Sequence, residues 1–417
     1  MEKLKSLLGL QLEICRPRIG TESARIAGSI ISVACAAGPI SRLLIRQMYV
    51  AIESQSAWDH TRRFSPALLE ELRFWYSNFD SFNGYFLRPP PDSSTVIFSD
   101  ASNVAFSSFS ASLDGVAASG MFTSEDLGHS STYRELKAIY YVLLSYAEQL
   151  RQRRVKVFTD NQGAARIVSV SSSKVYLQSV TMSIFDFCLS NGSTFEEQWI
   201  PRSKNERADV LSRFVDKDDW CVNPSVFRLL DAKWGPHMFD RFATYYNAQL
   251  PRLNSNFASP GCSGVDALTQ DWSGENNWIC PPLSLIVDSV RHLMSCSGLG
   301  TLIIPEWSSA HFWPFLREGS SRFSSFVAEV FVLPAVGDLL LEGPGQKQIY
   351  KSRPSLFRGC PKFRMLALRL DFRCVAWRWW PDGALLFLFF RCSNFRDLER
   401  RGSLGGPITT HLGSRPS

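Results

Sequence analysis

Two apolar runs of this sequence end in an aspartate: Val96-Ile97-Phe98-Ser99-Asp100 and Val155-Lys156-Val157-Phe158-Thr159-Asp160. Their length and their β-branched and aromatic residues are typical of buried strands. Ligands of open α/β sheets gather beyond the carboxyl ends of the strands. If the two strands are parallel neighbours, the carboxylates of Asp100 and Asp160 meet at one edge of the sheet.

The surrounding segments complete an α/β pattern. The sequence predicts a hairpin around Asp114-Gly115, a helix over 132–150, helices over about 162–170 and 175–190, a strand over 195–200 and a short helix opened by Ser203. The order is therefore three strands, helix, strand, helices, strand, helix. It predicts a mixed sheet with flanking helices, in which a right-handed crossover joins the first and fourth strands.

Two further acids belong to this pattern. Glu135 starts the helix between the two strands, and Asp209 lies in the run Asn205-Glu206-Arg207-Ala208-Asp209-Val210-Leu211-Ser212-Arg213. Four carboxylates in one site repel one another unless cations neutralise them, and oxygen-only ligands suit Mg²⁺ or Mn²⁺. Convergence of the four acids would give a two-metal site for phosphodiester hydrolysis.

Each acid also has a structural interpretation. Glu135 completes Thr132-x-x-Glu135, which is a capping-box pattern. Asp209 could be a solvated helical acid, and Asp100 could start a turn. The joint placement at two strand ends and two helix starts favours the functional interpretation.

Four motifs resemble the retroelement type of ribonuclease H: Ser99-Asp100-Ala101-Ser102, Arg134-Glu135-Leu136, Thr159-Asp160-Asn161 and Asn205 to Arg213. The resemblance covers roughly 95–215. It implies hydrolysis of the RNA strand of RNA–DNA hybrids, with Asp100, Glu135, Asp160 and Asp209 holding two Mg²⁺ or Mn²⁺ ions. Many relatives carry a mobile histidine before the last helix, where this chain has Pro201-Arg202-Ser203-Lys204.

The N-terminal segment, 1–90, is predicted to be helical, and Arg88-Pro89-Pro90-Pro91 predicts a semi-rigid linker after it. Gly38-Pro39-Ile40-Ser41-Arg42-Leu43 and Glu70-Glu71-Leu72-x-Phe74-Trp75 resemble the stretch that follows reverse transcriptase in DIRS and Ngaro-like retrotransposons. The resemblance implies a helical connector from a retrotransposon polyprotein and a reverse transcriptase polymerase domain as a partner.

Residues 220–372 resemble the Dam-like adenine methyltransferase segment of such elements, which implies a second α/β domain. By this resemblance Asp240, Pro281 and Pro282 would contact S-adenosylmethionine and its target. The tetrad Cys280-Pro281-Pro282-Leu283 places a thiol, which is a weak acceptor, and a leucine where a polar acceptor and an aromatic ring are expected. We interpret this domain as degenerate and its use of the cofactor as doubtful; a residual DNA adenine methyltransferase is the alternative.

Composition bounds these interpretations. The 417 residues are 45% hydrophobic and 20% charged, which excludes a disordered or fibrous chain and predicts several domains. Ten scattered cysteines without a C-x-x-C pair argue against zinc and favour an intracellular protein, in the cytoplasm or the nucleus. We expect no export signal and no membrane partner, since the longest apolar run is too short to span a bilayer.

Residues 373–417 form a basic, aromatic tail that could bind single strands or be poorly ordered. For the whole chain, the rival of a nuclease is a catalytically inactive nucleic-acid-binding or assembly module. Retention of all four acids favours the nuclease.

Overall fold

In the computed structural model, the strand that contains Asp100 and the strand that precedes Asp160 belong to one five-stranded sheet, and the described residues form a second five-stranded sheet. The structure describes residues 2–13, 19–38, 40–59, 61, 63–82, 94–214, 219–319, 322–343, 361–373, 375–379 and 385–389. The linker predicted at 88–91 lies outside the described residues, as does most of the tail predicted at 373–417.

The first sheet is mixed and has the strand order β3-β2-β1-β4-β5. Its strands are β1 (Ser94–Ala101), β2 (Ala105–Phe109), β3 (Ala117–Met121), β4 (Arg154–Thr159) and β5 (Thr194–Trp199). β1 pairs in parallel with β4, with Phe98 opposite Phe158, and β4 pairs in parallel with β5. β2 and β3 extend the other side as antiparallel strands. The predicted parallel contact between the first and fourth strands is confirmed.

Helices cover both faces of this sheet. They are α7 (Ser124–Leu127), α8 (Ser131–Ser145), α9 (Gln162–Val170), α10 (Val175–Ser190) and α11 (Glu206–Ser212). Successive side chains of a strand point to opposite faces. Ser108 of β2 hydrogen-bonds to the Tyr146 hydroxyl, just after α8, whereas its neighbour Ser107 donates to the carbonyl of Ala208 in α11. α8 and α11 therefore pack on opposite faces.

In the described residues between 2 and 82, six helices form an N-terminal helical unit. They are α1 (Glu2–Glu13), α2 (Ile19–Ser32), α3 (Ala34–Ala37), α4 (Ile40–Leu43), α5 (Arg46–Glu53) and α6 (Pro66–Phe82). Buried Glu71 of α6 accepts hydrogen bonds from the Gln47 and Met48 amides at the start of α5. The unit packs on α10, where Gln178 Nε2 donates to the Leu43 carbonyl at 2.8 Å. Met182, Phe185 and Leu189 of α10 join its apolar core.

The second sheet has the order β14-β16-β11-β10-β7. Its strands are β7 (Phe239–Asp240), β10 (Asn276–Ile279), β11 (Leu299–Pro305), β14 (Val327–Val332) and β16 (Met365–Asp371). β7, β10 and β11 run parallel, and β16 lies antiparallel between β11 and β14.

Helices and short strands surround the second sheet. They are β6 (Trp220–Val222), α12 (Pro224–Trp234), β8 (Asn254–Ser255), β9 (Gly264–Val265), α13 (Ile286–Ser295), α14 (Trp313–Leu316), β12 (Arg317–Glu318), β13 (Arg322–Phe323) and β15 (Leu340–Glu342). Ile303 faces the apolar cluster that contains α12, and Leu302 and Ile304 face the cluster that contains α13. The unit of residues 219–373 is thus a layered α/β structure, while its likeness to a methyltransferase stays a prediction.

The two sheet units contact each other along β3. The Ala258 amide donates to the Ala117 carbonyl at 3.2 Å, and the Ala258 carbonyl accepts from Ser119 N at 3.1 Å. The ring of Tyr245 lies 5.2 Å from that of Tyr141 and 6.2 Å from that of Phe106, and its hydroxyl donates to the Met121 carbonyl. A backbone segment and an aromatic side chain of the second unit therefore complete the edge of the first sheet.

Two further strands, β17 (Val375–Trp379) and β18 (Leu385–Phe389), pair antiparallel within the predicted tail. Within the described parts of the chain, every helix is too short or too polar to span a bilayer.

Glu197 of β5 gives the first sheet unit a testable pH dependence. Both of its carboxylate oxygens are buried without a hydrogen-bond partner among the described residues, and burial raises its pKa to about 8. Between about pH 4.5 and pH 8 the carboxyl is ionised in the unfolded chain and protonated in the folded chain, so its contribution to stability falls as the pH rises. We expect Glu197→Gln to gain roughly 2–4 kcal/mol over wild type between pH 5 and pH 8.

Urea midpoints at the two pH values measure this gain. Exposed Glu125 provides the control, since Glu125→Gln should track wild type at both pH values. An equal effect of Glu197→Gln at pH 5 and pH 8 would contradict the assigned ionisation.

Candidate metal centre

Three acids meet beyond the parallel pair β1 and β4. Asp100, Glu135 and Asp160 each offer a carboxylate oxygen, and these oxygens all lie within 4.8 Å of one another. Asp100 belongs to β1, Asp160 follows β4, and Glu135 comes from the first turns of α8. The structure thus brings together three of the four predicted residues; their role as metal ligands remains a prediction.

Burial and crowding disfavour the charged forms of these acids. Burial raises the pKa of Glu135 to about 9, with the charges of Asp100 and Asp160 adding to the rise and a backbone hydrogen bond from Ala101 opposing it. Burial also raises the pKa of Asp100, and a hydrogen bond from Ser212 counteracts this. Ionisation of the three acids therefore costs free energy, and a bound positive charge would reduce that cost.

The residues fit a divalent cation. Glu135 Oε2 is buried and has no hydrogen-bond partner in the part of the chain that the structure describes. An orphaned carboxylate oxygen beside two other carboxylates offers the oxygen donors that Mg²⁺ and Mn²⁺ prefer.

Asp209, the fourth predicted acid, lies beside this group but is not part of it. Its Oδ1 atom accepts hydrogen bonds from Arg202 and from Arg213, the latter at 2.8 Å. Its charge contributes to the raised pKa of Asp100. Ser212 connects the two acids, because its hydroxyl lies 2.6 Å from Asp100 Oδ2 and 3.0 Å from the Asp209 carbonyl oxygen.

The capping-box interpretation of Glu135 is wrong. α8 begins at Ser131 and its N-cap is Ser130, whose side chain accepts a hydrogen bond from the Tyr133 amide. Thr132 is therefore inside the helix, and Glu135 does not cap it but belongs to the acid cluster. The turn interpretation of Asp100 is also wrong, since Asp100 lies within β1 and is paired with Ser107.

Three residues that position the cluster were not singled out from the sequence. Ser212 orients Asp100, Asn205 anchors the start of α11 by donating to the Ser99 carbonyl at 2.9 Å, and Trp199 Nε1 donates to the Asp160 carbonyl at 2.9 Å. Asn205 and Ser212 belong to the quoted motif around Asp209, which was the available signal. No sequence signal points to Trp199, because its contact depends on the pairing of β5 with β4.

The residues predicted to bind a methyl donor lie around the second sheet. A cavity of about 180 Å³ opens beside the carboxyl ends of β7 and β10, and Cys280 and Pro282 contribute to its wall together with Arg241 and Asn254. Asp240 and Pro281 are buried but are not among the described residues that line it. Burial raises the pKa of Asp240 to about 7 against backbone hydrogen bonds from Gln249 and Phe242.

Comparison with solved structures gives structural neighbours of the chain. No family model matches the chain, and no curated protein matches it. RNase H1 from the archaeon Halobacterium salinarum is similar at 18% identity and a TM-score of 0.25, over 28% of this chain and 94% of that one. LC11-RNase H1 in complex with RNA/DNA hybrid has 18% identity and a TM-score of 0.24, over 28% of this chain and 92% of that one.

The foamy viral protease-reverse transcriptase dRH in complex with double-stranded DNA is similar at 14% identity and a TM-score of 0.20, over 48% of this chain and 35% of that chain. The identities of these three neighbours are 14–18%, and their TM-scores are 0.20–0.25.

The cluster predicts stabilisation by a divalent cation. At Mn²⁺ concentrations about 100 times the dissociation constant, the folded chain should gain about 2.7 kcal/mol. Glu135→Gln should lose most of this gain, because it removes a ligand charge while keeping the shape of the side chain. Thermal melts with and without Mn²⁺ measure the effect, and exposed Glu148→Gln is the control. Equal stabilisation of the Glu135→Gln and wild-type chains would show that the ion binds elsewhere.

Proposed function

We propose that this chain is a divalent-metal-dependent ribonuclease H that hydrolyses the RNA strand of RNA–DNA hybrids. The observation that carries the proposal is the group of three carboxylates within 4.8 Å, one of them with a buried oxygen that has no partner among the described residues. The order and spacing of the acids and their flanking motifs, which resemble the retroelement type of ribonuclease H, favour this substrate over other phosphodiesters.

In this proposal Asp100, Glu135, Asp160 and Asp209 hold two ions, Mg²⁺ or Mn²⁺. Such a pair of ions supplies Lewis-acid activation of phosphodiester hydrolysis when bound. The protein's own residues fix the geometry. Ser212 holds one oxygen of Asp100, which leaves the other free for a ligand, and Trp199 and Asn205 tie the ends of β4 and β1 to the loop that leads into α11.

A band of cations borders the acids. Arg202, Lys204, Arg207 and Arg213 are all exposed on α11 and on the turn before it. The guanidinium of Arg207 lies 3.4 Å from the ring centroid of Phe109, which holds it against β2. Exposed cations attract the phosphate backbone without reading its sequence. They would bring the negatively charged hybrid to a site that is itself negative.

The segments around the nuclease are proposed to come from a DIRS or Ngaro-like retrotransposon polyprotein. In this proposal residues 1–90 are the connector that follows reverse transcriptase, 95–215 the ribonuclease H domain, 220–372 a degenerate methyltransferase-like domain and 373–417 a tail. A reverse transcriptase polymerase domain would be the natural partner of the connector. The rival function is a nucleic-acid-binding or assembly module without catalysis.

Asp160→Asn distinguishes the enzyme from the module. It removes a ligand charge but no cation that faces phosphate, so cleavage of a labelled hybrid should fall by at least about 10³-fold while hybrid affinity changes little. The wild-type chain should cut in Mg²⁺ or Mn²⁺ and be inert in Ca²⁺ or chelator. Asp114→Asn is the control, because Asp114 is an exposed turn residue with a positive φ that asparagine tolerates.

Gel analysis of the RNA strand and a binding titration in Ca²⁺ give the two readouts. Undiminished cleavage by Asp160→Asn would contradict the nuclease assignment, and hybrid binding without cleavage by the wild-type chain would favour the module.

A second candidate, residual adenine methyl transfer, is suggested by the cavity beside Cys280 and Pro282. The residues of the tetrad do not suit the chemistry of adenine methyl transfer. Burial raises the pKa of Cys280 well above its ordinary value, so the thiol stays neutral and is a weak acceptor. Leu283 packs against the apolar clusters on both sides of the second sheet. We infer that the two ends of the tetrad serve packing.

We therefore expect no adenine methylation by the wild-type chain. Loss of one oriented polar group of this kind costs about 10²-fold or more in rate, and the stacking ring is missing as well. Transfer of labelled methyl groups from S-adenosylmethionine to DNA is the measurement. Cys280→Asn with Leu283→Tyr should recover activity only partly, and methylation by the unmodified chain would overturn this interpretation.

A further inference from the structure

Asp209 is held by two arginines that reach it from different elements. Arg213 is the residue that directly follows α11, whereas Arg202 belongs to the 3₁₀ turn Arg202–Lys204 between β5 and α11. The Asp209 side chain is only 14% exposed, while the side chains of Arg202 and Arg213 are 64% and 60% exposed. A shielded carboxylate is thus neutralised by two side chains that extend into solvent.

Arg202 is the arginine that faces the acid cluster. The hydrogen bond with Asp209 raises the pKa of its guanidinium, and the charges of Asp209, Asp160 and Asp100 add to the rise. Its backbone is fixed, because Asn205 N donates to the Arg202 carbonyl at 2.9 Å and the Asn205 side chain holds the Ser99 carbonyl. The long side chain can therefore leave Asp209 without any rearrangement of the turn.

A guanidinium and a divalent cation compete for the same lone pairs of the Asp209 carboxylate. Arginine has donors only, and the Arg202 donor occupies Asp209 Oδ1, which also accepts from Arg213. A cation that takes this oxygen as a ligand must displace at least one guanidinium. No described arginine or lysine makes a salt bridge with Asp100, Glu135 or Asp160, so an ion bound by those three acids meets no such competitor.

We propose that Arg202 is a built-in counter-ion of Asp209, and that a second divalent cation binds there only by displacing it. This inference rests on the proposed metal-dependent function and adds the order in which the two divalent cations bind. The ion held by Asp100, Glu135 and Asp160 binds first and more tightly. The ion that uses Asp209 binds second and more weakly, because part of its binding free energy is spent on breaking the ion pair.

Calorimetric titration of the full chain with Mn²⁺, without nucleic acid, tests the order. Wild type should show two binding steps, and Asp209→Asn should lose the weaker one. Arg202→Gln should tighten the weaker step about fivefold, as expected for removal of an exposed competing ion pair, and leave the tighter step unchanged. Lys204→Gln is the matched control, because it removes the same charge from an exposed side chain of the same turn.

The outcomes separate this inference from the proposed function. A wild-type chain that binds no Mn²⁺ would overturn both. Two binding steps that Arg202→Gln leaves unchanged, or that Lys204→Gln shifts equally, would overturn the role of Arg202 alone. If Arg213→Gln tightens the weaker Mn²⁺ step more than Arg202→Gln does, Arg213 is the competing arginine and the proposal is wrong. A smaller effect of Arg213→Gln supports the role of Arg202.

Discussion

The parallel pairing of β1 with β4 is the constraint on which the acid cluster depends. It brings the strand ends that carry Asp100 and Asp160 to one edge of the sheet, and α8 adds Glu135 to the same edge. Like charges in a poorly hydrated place are unfavourable. The surrounding contacts limit this cost: a hydroxyl from Ser212 on Asp100, a backbone hydrogen bond from Ala101 on Glu135, and guanidinium groups on Asp209.

Much of the first sheet unit could be predicted because its signals are local. Apolar runs that end in Asp100 and Asp160 and the helical stripe after Thr132 depend only on nearby residues. The parallel contact of the first and fourth strands was predicted from the alternation of strands and helices. The start of α8 could not be assigned in the same way. Ser130 and Thr132 are both good N-caps, and the choice between them depends on how the helix packs on β1 and β2. The contacts of Arg202 and Trp199 likewise depend on the tertiary structure.

The second sheet unit shows where the sequence is least informative. The resemblance of this segment implied an α/β domain, but it did not establish the roles of individual residues. The methyltransferase resemblance implies a stacking ring at Leu283, whereas the folded chain packs this side chain against two apolar clusters. Asp240 is buried in β7, and its carboxylate accepts a hydrogen bond from the Gln249 amide. The roles of Leu283 and Asp240 therefore depend on their burial in the folded chain.

The backbone of Ala258 on β3 has a consequence for how this chain tolerates mutation. An open strand edge is a template for pairing with other chains, and proteins commonly cover such edges. Here the cover comes from the second sheet unit, through Ala258 and Tyr245, and neither residue belongs to the Cys280–Leu283 tetrad. Substitutions in that tetrad can therefore accumulate without exposing the edge, whereas deletion of the unit would leave the first sheet prone to aggregation. Selection for solubility would therefore preserve the fold of the second sheet unit whatever the chemistry of the tetrad.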